Sequence, residues 1–93
     1  MLASEETVNN LGYQLIGEQK MQAALVVLGA NVEDFPRLAS ALDSLADGHL
    51  KLGDEAKAEA LYRHALQLDP NYVNAAFAKQ FIGERLARSA KPK

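Results

Sequence analysis

Residues 42–72 read LDSLADGHLKLGDEAKAEALYRHALQLDPNY, and this stretch predicts one complete helix–turn–helix hairpin. Apolar residues recur at three- and four-residue spacing on both sides of Gly53-Asp54, as in two amphipathic helices. Gly53 suits the left-handed backbone that closes a helix, and Asp54 is a good N-cap for the next helix. Pro70 ends the second helix, because proline disfavours a helical residue before it.

The same spacing predicts further helices on both sides of this hairpin. Ser4 is expected to cap the first helix, and Phe35-Pro36 is expected to end the second. Asn71 is expected to cap the fifth. The five predicted helices cover residues 5–18, 21–33, 38–51, 55–68 and 72–88, followed by a basic tail that is expected to fray.

Length and composition limit the class of protein. A chain of 93 residues allows one domain, and 48% apolar residues is enough for a folded core. A net charge of −2 gives no electrostatic reason to bind nucleic acid or an anionic membrane. Because the chain has no cysteine, it predicts neither disulfides nor a cysteine-ligated metal site. We expect no cofactor and no catalytic residues.

The N-terminal sequence MLASEETVNN lacks the basic and apolar regions of a secretory signal. The longest apolar run, residues 23–28, is too short to span a bilayer. The default expectation is therefore a cytoplasmic location. The chain could also be one piece of a longer protein.

Internal repetition is the strongest signal in the sequence. A pattern of large apolar, small, small, large apolar and proline residues occurs twice, offset by 34 residues. The matched pairs are Leu11/Leu45, Gly12/Ala46, Ala24/Ala58, Leu28/Tyr62 and Pro36/Pro70. Small residues allow the two helices of a hairpin to approach closely, and large ones fill the space between hairpins.

This repeat resembles the tetratricopeptide repeat family. The second copy matches best, through Leu45-Ala46, Ala58, Tyr62, Ala65 and Pro70, whereas Leu42 and His49 stand where that family usually has aromatic residues. In the first copy Asn31 replaces the expected alanine. The resemblance implies an all-α fold, a right-handed superhelical stack of two antiparallel hairpins and a terminal capping helix. Repeat one would cover residues 5–38, repeat two 39–72, and the terminal helix 73–88 of a single domain.

By the same resemblance, the chain is expected to be a non-catalytic protein-interaction or scaffold module. Its partner would be a protein or peptide bound on the concave face formed by the first helix of each repeat. The residues expected there are Asn9, Tyr13, Ile16, Ser40, Asp43, Asp47, Lys51, Asn74, Phe77 and Phe81. Since Asp43 and Asp47 would repel an acidic C-terminus, a neutral or basic segment is favoured as the ligand.

A narrower resemblance suggests a different role. The segments LGYQLIG, NVEDFP, ALDSLADGHLKLGD and YRHALQLDPN are similar to the helical tail of some bacterial serine hydrolases of β-lactamase-like or esterase-like type. That likeness implies an accessory or regulatory domain whose catalytic part lies elsewhere.

The fifth helix leaves two alternatives open. Its best core stripe is Ala75, Ala78, Ile82 and Leu86, which places Phe77 and Phe81 nearly opposite the core. The two phenylalanines would then form an exposed docking patch for a peptide, a parent domain or a second copy in a homodimer. Alternatively, the helix rotates and they complete a small core.

The remaining polar residues are interpreted structurally. His49 is expected to be a packed histidine, with His64 on the outer side of its helix and unable to reach it. Asp43 and Asp47 are interpreted as surface charge rather than an acid/base pair, because no nucleophile or metal cluster accompanies them. Asn31 is expected to bond a backbone carbonyl, and Gly29 to mark a close approach of another backbone.

Overall fold

A computed structural model describes residues 4–90, and these residues form five α-helices. The helices are α1 (Glu5–Gly17), α2 (Met21–Asp34), α3 (Ala39–Lys51), α4 (Glu55–Leu68) and α5 (Ala75–Ala90). The described residues contain no β-strand, and the all-α prediction is confirmed. The predicted ends of the first four helices agree with the structure to within one residue. The predicted tail begins too early, because Ser89 and Ala90 belong to α5; its residues 91–93 lie outside the described residues.

Two of the three predicted helix caps are present. The Ser4 hydroxyl accepts a hydrogen bond from the backbone N–H of Thr7 (3.2 Å) at the start of α1. At the start of α4, the Asp54 carboxylate accepts one from the backbone N–H of Lys57 (3.3 Å). Gly53, between α3 and α4, has a φ of 85°, which other residues adopt only with strain. These local signals explain why the ends of these helices could be predicted from the sequence.

The helices pack in chain order into an elongated body of 52 × 28 × 17 Å. Each helix contacts the next, and α1 also contacts α3. The core lies mainly around α3, α4 and α5, where Ala46, Ala58, Tyr62 and Ala65 are all 0% exposed. The small residues let α3 and α4 approach closely, as the repeat pattern predicts.

The first helix is less buried than its apolar stripe suggests. Gly12 is the buried residue of α1, and Leu11 is 46% exposed. A Cβ atom at Gly12 would lie 2.3 Å from Cδ2 of Leu28, so α1 and α2 meet at this glycine. The close approach expected at Gly29 is wrong, because no neighbouring heavy atom lies within 4 Å of a Cβ built there.

The fifth helix begins later than predicted, at Ala75 instead of Tyr72. The preceding residues form turns, in which Tyr72 N–H donates to the Asp69 carbonyl and Ala75 N–H to the Tyr72 carbonyl. Asn71 is not the cap of α5: its own N–H donates to the Asp69 carboxylate (3.0 Å) within the turn.

The predicted core stripe of α5 is partly wrong. Ala75, Ala78 and Ile82 are buried, but Leu86 is 55% exposed. Phe81 takes part in the core in its place and is 9% exposed. Phe81 is therefore not an exposed docking residue: it completes a small core, as in the second alternative, while Ala75, Ala78 and Ile82 keep their predicted buried positions.

Asn31 has a different partner from the one predicted. It is 1% exposed, and its Nδ2 donates to Oε1 of Glu5 (3.2 Å) instead of to a backbone carbonyl. Because Glu5 stands in the first turn of α1, this bond ties the start of α1 to the last part of α2.

Candidate functional site

Two adjoining cavities open along one side of the molecule. The first, of about 350 Å³, is lined by Asn9, Tyr13, Ser40, Asp43, Ser44, Asp47, Tyr72, Val73 and Asn74. The second, of about 330 Å³, is lined by Tyr13, Ile16, Asp47, Leu50, Lys51, Asn74 and Phe77. They share Tyr13, Asp47 and Asn74, and together we call them the groove. Its walls come from α1, α3, the turn before α5 and the first part of α5.

The groove gathers most of the residues that the repeat register singled out. Of the ten residues expected on the concave face, nine line one or both cavities. The exception is Phe81, which lies behind Phe77 with its ring centroid 5.4 Å from that of Tyr62. The spacing of 34 residues thus places side chains from three successive units on one surface.

Asp47 lies at the junction of the two cavities and joins two helices to α3. Its Oδ2 accepts a hydrogen bond from the Tyr13 hydroxyl of α1, and its Oδ1 accepts one from the Tyr62 hydroxyl of α4. Tyr62 is 0% exposed, and a buried tyrosine hydroxyl needs such a partner. Burial, followed by the bond to Asp47, raises the pKa of both tyrosines well above the usual range.

Asp43 holds the turn before α5 in the same way. Its Oδ1 accepts a hydrogen bond from the Tyr72 hydroxyl (2.5 Å), and Nδ2 of Asn74 lies 3.1 and 3.2 Å from the two carboxylate oxygens. Asp43 is 6% exposed. Its burial raises the pKa of the carboxyl, while the bonds from Tyr72 and Asn74 favour the ionised form and limit that rise.

The interpretation of Asp43 and Asp47 as surface charge is wrong. All three tyrosines of the chain converge on these two carboxylates. Four residues separate the aspartates along α3, so both face the same side of the helix. They form the polar floor of the groove and fix the position of side chains from α1, α4 and the turn before α5.

The second cavity is more apolar than the first. Its apolar wall consists of Ile16, Leu50 and Phe77, and the exposed Lys51 also lines it. Phe77 is 43% exposed, with its ring stacked on that of Phe81 at a centroid distance of 6.4 Å. An aromatic ring held from behind presents a fixed apolar surface.

Some groove residues were absent from the sequence predictions. Ser44, Leu50, Tyr72 and Val73 line the cavities without having been assigned to the concave face. Only one of the interactions had a usable signal: a buried tyrosine at position 62 requires a polar partner on a neighbouring helix. The position of Tyr72 depends on a turn that the sequence had assigned to helix.

The histidines lie apart from one another. The His49 side chain is 16% exposed with Nδ1 4.0 Å from the Asp54 carboxylate, and its burial lowers the pKa of the imidazole. His64 is exposed on α4. Within residues 4–90, no group of three or more histidine or acidic side chains is placed to hold a metal ion. Across the same residues, no helix is long and apolar enough to cross a membrane.

Comparison with known proteins identifies the central hairpin. Residues 39–72 match the family model of the tetratricopeptide repeat, and these residues contain α3, α4 and the turn that follows. No curated protein matches the chain. The helices before and after the match also pack against their neighbours in chain order. Residues 39–72 are therefore similar to a tetratricopeptide repeat, within a five-helix array consistent with that helical-repeat family.

Proposed function

We propose that this protein is a non-catalytic interaction module that binds a short segment of another protein in the groove. Tetratricopeptide repeats are in general protein-interaction modules, and the groove lies on the first helix of the matched repeat. The observation that carries the proposal is the convergence of α1, α3 and the start of α5 on two adjoining cavities. Helical repeats commonly use such continuous surfaces for binding.

The polar walls of the groove are fixed before any ligand arrives. Tyr13 is held by Asp47, while Tyr72 and Asn74 are held by Asp43. Side chains that are already ordered lose little conformational freedom on binding, which favours affinity. A groove built in this way suits a ligand that adapts to it, such as an extended peptide segment.

The sizes of the cavities also favour a peptide. Each, at about 350 and 330 Å³, has room for one or two side chains and lies at the lower end of the range of ligand pockets. One cavity is polar and the other has an apolar wall of Ile16, Leu50 and Phe77. Successive side chains of one extended segment can occupy both.

Selection from a display library of random short peptides tests this proposal. We expect peptides to be enriched on the folded protein and to bind it in calorimetry with a measurable Kd. The same peptides should bind Phe77→Ser about tenfold or more weakly, because the exposed ring of the groove is lost. Circular dichroism establishes that each variant is folded.

Val26→Ser is the matched control, since Val26 is 73% exposed on α2 and does not line the groove. Its affinity for the enriched peptides should equal that of the unmodified protein. Equal losses for both variants would contradict binding in the groove. Failure to enrich any peptide would reject the proposal and leave the two other predicted roles, an accessory domain of an enzyme and a homodimeric module.

A further inference from the structure

Resting on the proposed binding in the groove, we infer that the ligand segment carries a lysine or arginine. The cationic head would bind in the first cavity beside Asp43, Asp47 and the ring of Tyr13. An apolar side chain of the same segment would lie in the second cavity against Phe77. The ligand is thus a cationic–apolar segment rather than any extended peptide.

The charges of the groove favour a cation. Its charged lining residues are two carboxylates, Asp43 and Asp47, and one ammonium, Lys51. Lys51 lines the second cavity only, so the first cavity has two carboxylates and no lysine or arginine in its lining. A negative charge in the first cavity would lie beside two aspartates without compensation, whereas a positive charge is attracted by both.

The tyrosine hydroxyls that meet at the floor of the first cavity have already donated their protons. The hydroxyl protons of Tyr13, Tyr62 and Tyr72 all go to the two aspartates. Each carboxylate oxygen has two lone pairs, so the aspartates can accept further bonds after these protons are placed. The tyrosine oxygens likewise have acceptor capacity and no free proton. The carboxylate and tyrosine oxygens of the floor therefore favour a ligand that brings donors, and ammonium and guanidinium groups have only donors.

Asn9 independently indicates that the ligand brings a hydrogen-bond donor to the first cavity. It lines the first cavity, and its Oδ1 accepts no hydrogen bond from any residue between positions 4 and 90. A polar atom removed from water without a partner is costly. A donor from the ligand at this end of the cavity would satisfy it.

The aromatic ring between the cavities fits the same ligand. Tyr13 lines both cavities and is 39% exposed, although its hydroxyl is bound to Asp47. A lysine or arginine packs favourably over the face of such a ring, and its aliphatic stem covers apolar surface. Because the cavities adjoin, the apolar side chain should stand about one to three residues from the cation, at roughly 3.3–3.6 Å per extended residue.

Peptides enriched by the selection described above test this inference. Each is resynthesised with its arginine replaced by citrulline, or its lysine by acetyl-lysine, which keeps the shape and removes the charge. We expect the neutral forms to bind about tenfold or more weakly, as when a charged hydrogen bond is lost. The protein is unchanged in this comparison, so its folding does not affect the result.

An Asp47→Asn variant then identifies the protein group involved. It should weaken the cationic peptide about tenfold or more and have little effect on its neutral counterpart, which shows coupling between the two charges. Glu33→Gln is the matched control, because it removes one exposed carboxylate of α2 that does not line the groove. Its effect should be small for both peptides.

The outcomes separate this inference from the proposed function. Suppose that the enriched peptides bind Phe77→Ser more weakly but bind the unmodified protein equally well in their citrulline or acetyl-lysine forms. This result would contradict the inferred need for a cationic side chain and would leave the proposed binding in the groove intact. Enrichment of acidic or uncharged peptides would contradict the need for a cationic side chain in the same way. If no peptide is enriched, both proposals fail.

Discussion

The two helical hairpins, α1–α2 and α3–α4, have the same 34-residue spacing and differ sharply in burial. In α1 the buried residue is Gly12. In α3 seven residues are buried, namely Ala39, Ala41, Leu42, Asp43, Ser44, Ala46 and Gly48. The reason is position: α3 packs between α2 and α4, whereas α1 packs mainly against α2, and no helix within residues 4–90 covers its far side. Repeat spacing decides which side chains face a neighbour, and the neighbour decides whether they are buried.

The contact at the centre of each hairpin also differs. Leu28 in the first hairpin and Tyr62 in the second occupy equivalent positions, and both are 0% exposed. Leu28 meets the backbone of α1 at Gly12, whereas Tyr62 reaches Asp47 with its hydroxyl and packs against α5 with its ring. Tyr62 therefore links the second hairpin to α5 through an aromatic contact that its counterpart Leu28 does not make.

The largest effect should come from truncating these two equivalent residues. Tyr62→Ala should lower the free energy of unfolding by about 4 kcal/mol, and Leu28→Ala by about 2–3 kcal/mol. Tyr62 loses its packing against Phe81 and its bond to Asp47, while α1, supported on one side, can relax around the Leu28 cavity. Urea denaturation followed by circular dichroism measures both.

Tyr62→Phe is the control that separates the ring from the hydroxyl, and it should cost about 1 kcal/mol. Equal losses for Tyr62→Ala and Leu28→Ala would show that the two hairpins are supported alike, against the difference in burial described above.

The next largest effect should be a substitution that the first hairpin cannot accept. Gly12→Ala places a Cβ atom 2.3 Å from Cδ2 and 2.6 Å from Cγ of the fully buried Leu28. We expect it to destabilise the protein by about 1–3 kcal/mol. The second hairpin already has an alanine, Ala46, at the equivalent position. Urea denaturation of the variant provides the test.

Gly29→Ala is the matched control on the same hairpin. Its Cβ would meet no neighbouring heavy atom within 4 Å, so the substitution should stabilise α2 by up to about 1 kcal/mol through helix propensity. If the clash is the cause at Gly12, Gly12→Ala combined with Leu28→Ala should cost less than the sum of the two. An additive result would contradict the clash.

The sequence predicted the helices well because their ends are encoded locally. Pro36, Gly53, Asp54 and Pro70 act on the backbone next to them, and the structure reproduces the helix ends that they predict. The predicted start of the fifth helix was wrong because residues 69–74 adopt turns, which Asp43 stabilises through Tyr72 and Asn74. That interaction joins residues about 30 positions apart, which local signals do not report.

The sequence predicted most of the residues that line the groove but not the hydrogen bonds that they make. The 34-residue register placed Asn9, Asp43 and Phe77 on one surface without any knowledge of contacts. Periodicity assigns a residue to a face of its own helix and does not say which hydroxyl from another helix reaches it. Asp43 and Asp47 were for that reason misread as surface charge.

Measuring stability as a function of pH tests a further difference between the hairpins. The second hairpin has the buried Asp43 where the first has the uncharged Asn9. Burial raises the pKa of Asp43, so the folded state binds its proton more tightly than the unfolded state does. Its contribution to stability is greatest below the unfolded-state pKa and is lost as pH rises through the folded-state pKa. The stability of the unmodified protein minus that of Asp43→Asn should therefore fall from about pH 4 to pH 7.

The difference in stability between the unmodified protein and Asp43→Asn does not include the contributions of other groups whose effect on stability changes with pH in the opposite direction. Arginine partners lower the pKa of Glu55 and Glu59, and burial lowers that of His49, so these groups lose stability as pH falls. Both proteins contain them, and denaturation at each pH cancels their effect. A difference that stays constant or grows with pH would show that Asp43 is not held in the buried state described above.

The smallest effect should come from the ion pairs that join the second hairpin to α5. Arg85 lies 2.6 Å from Glu59 and 3.1 Å from Glu55, and Arg88 lies 2.8 Å from Glu55. These groups are partly exposed, so salt should screen them and their contribution should be modest. Arg85→Gln should destabilise the protein less than Gly12→Ala, and the loss of stability should shrink as the sodium chloride concentration is raised.

Arg37→Gln is the control, because Arg37 is exposed and has no ion pair among the described residues. It should show neither the loss of stability nor the dependence on salt. A loss for Arg85→Gln that does not change with salt would instead assign the role of Arg85 to the packing of its aliphatic stem on α4.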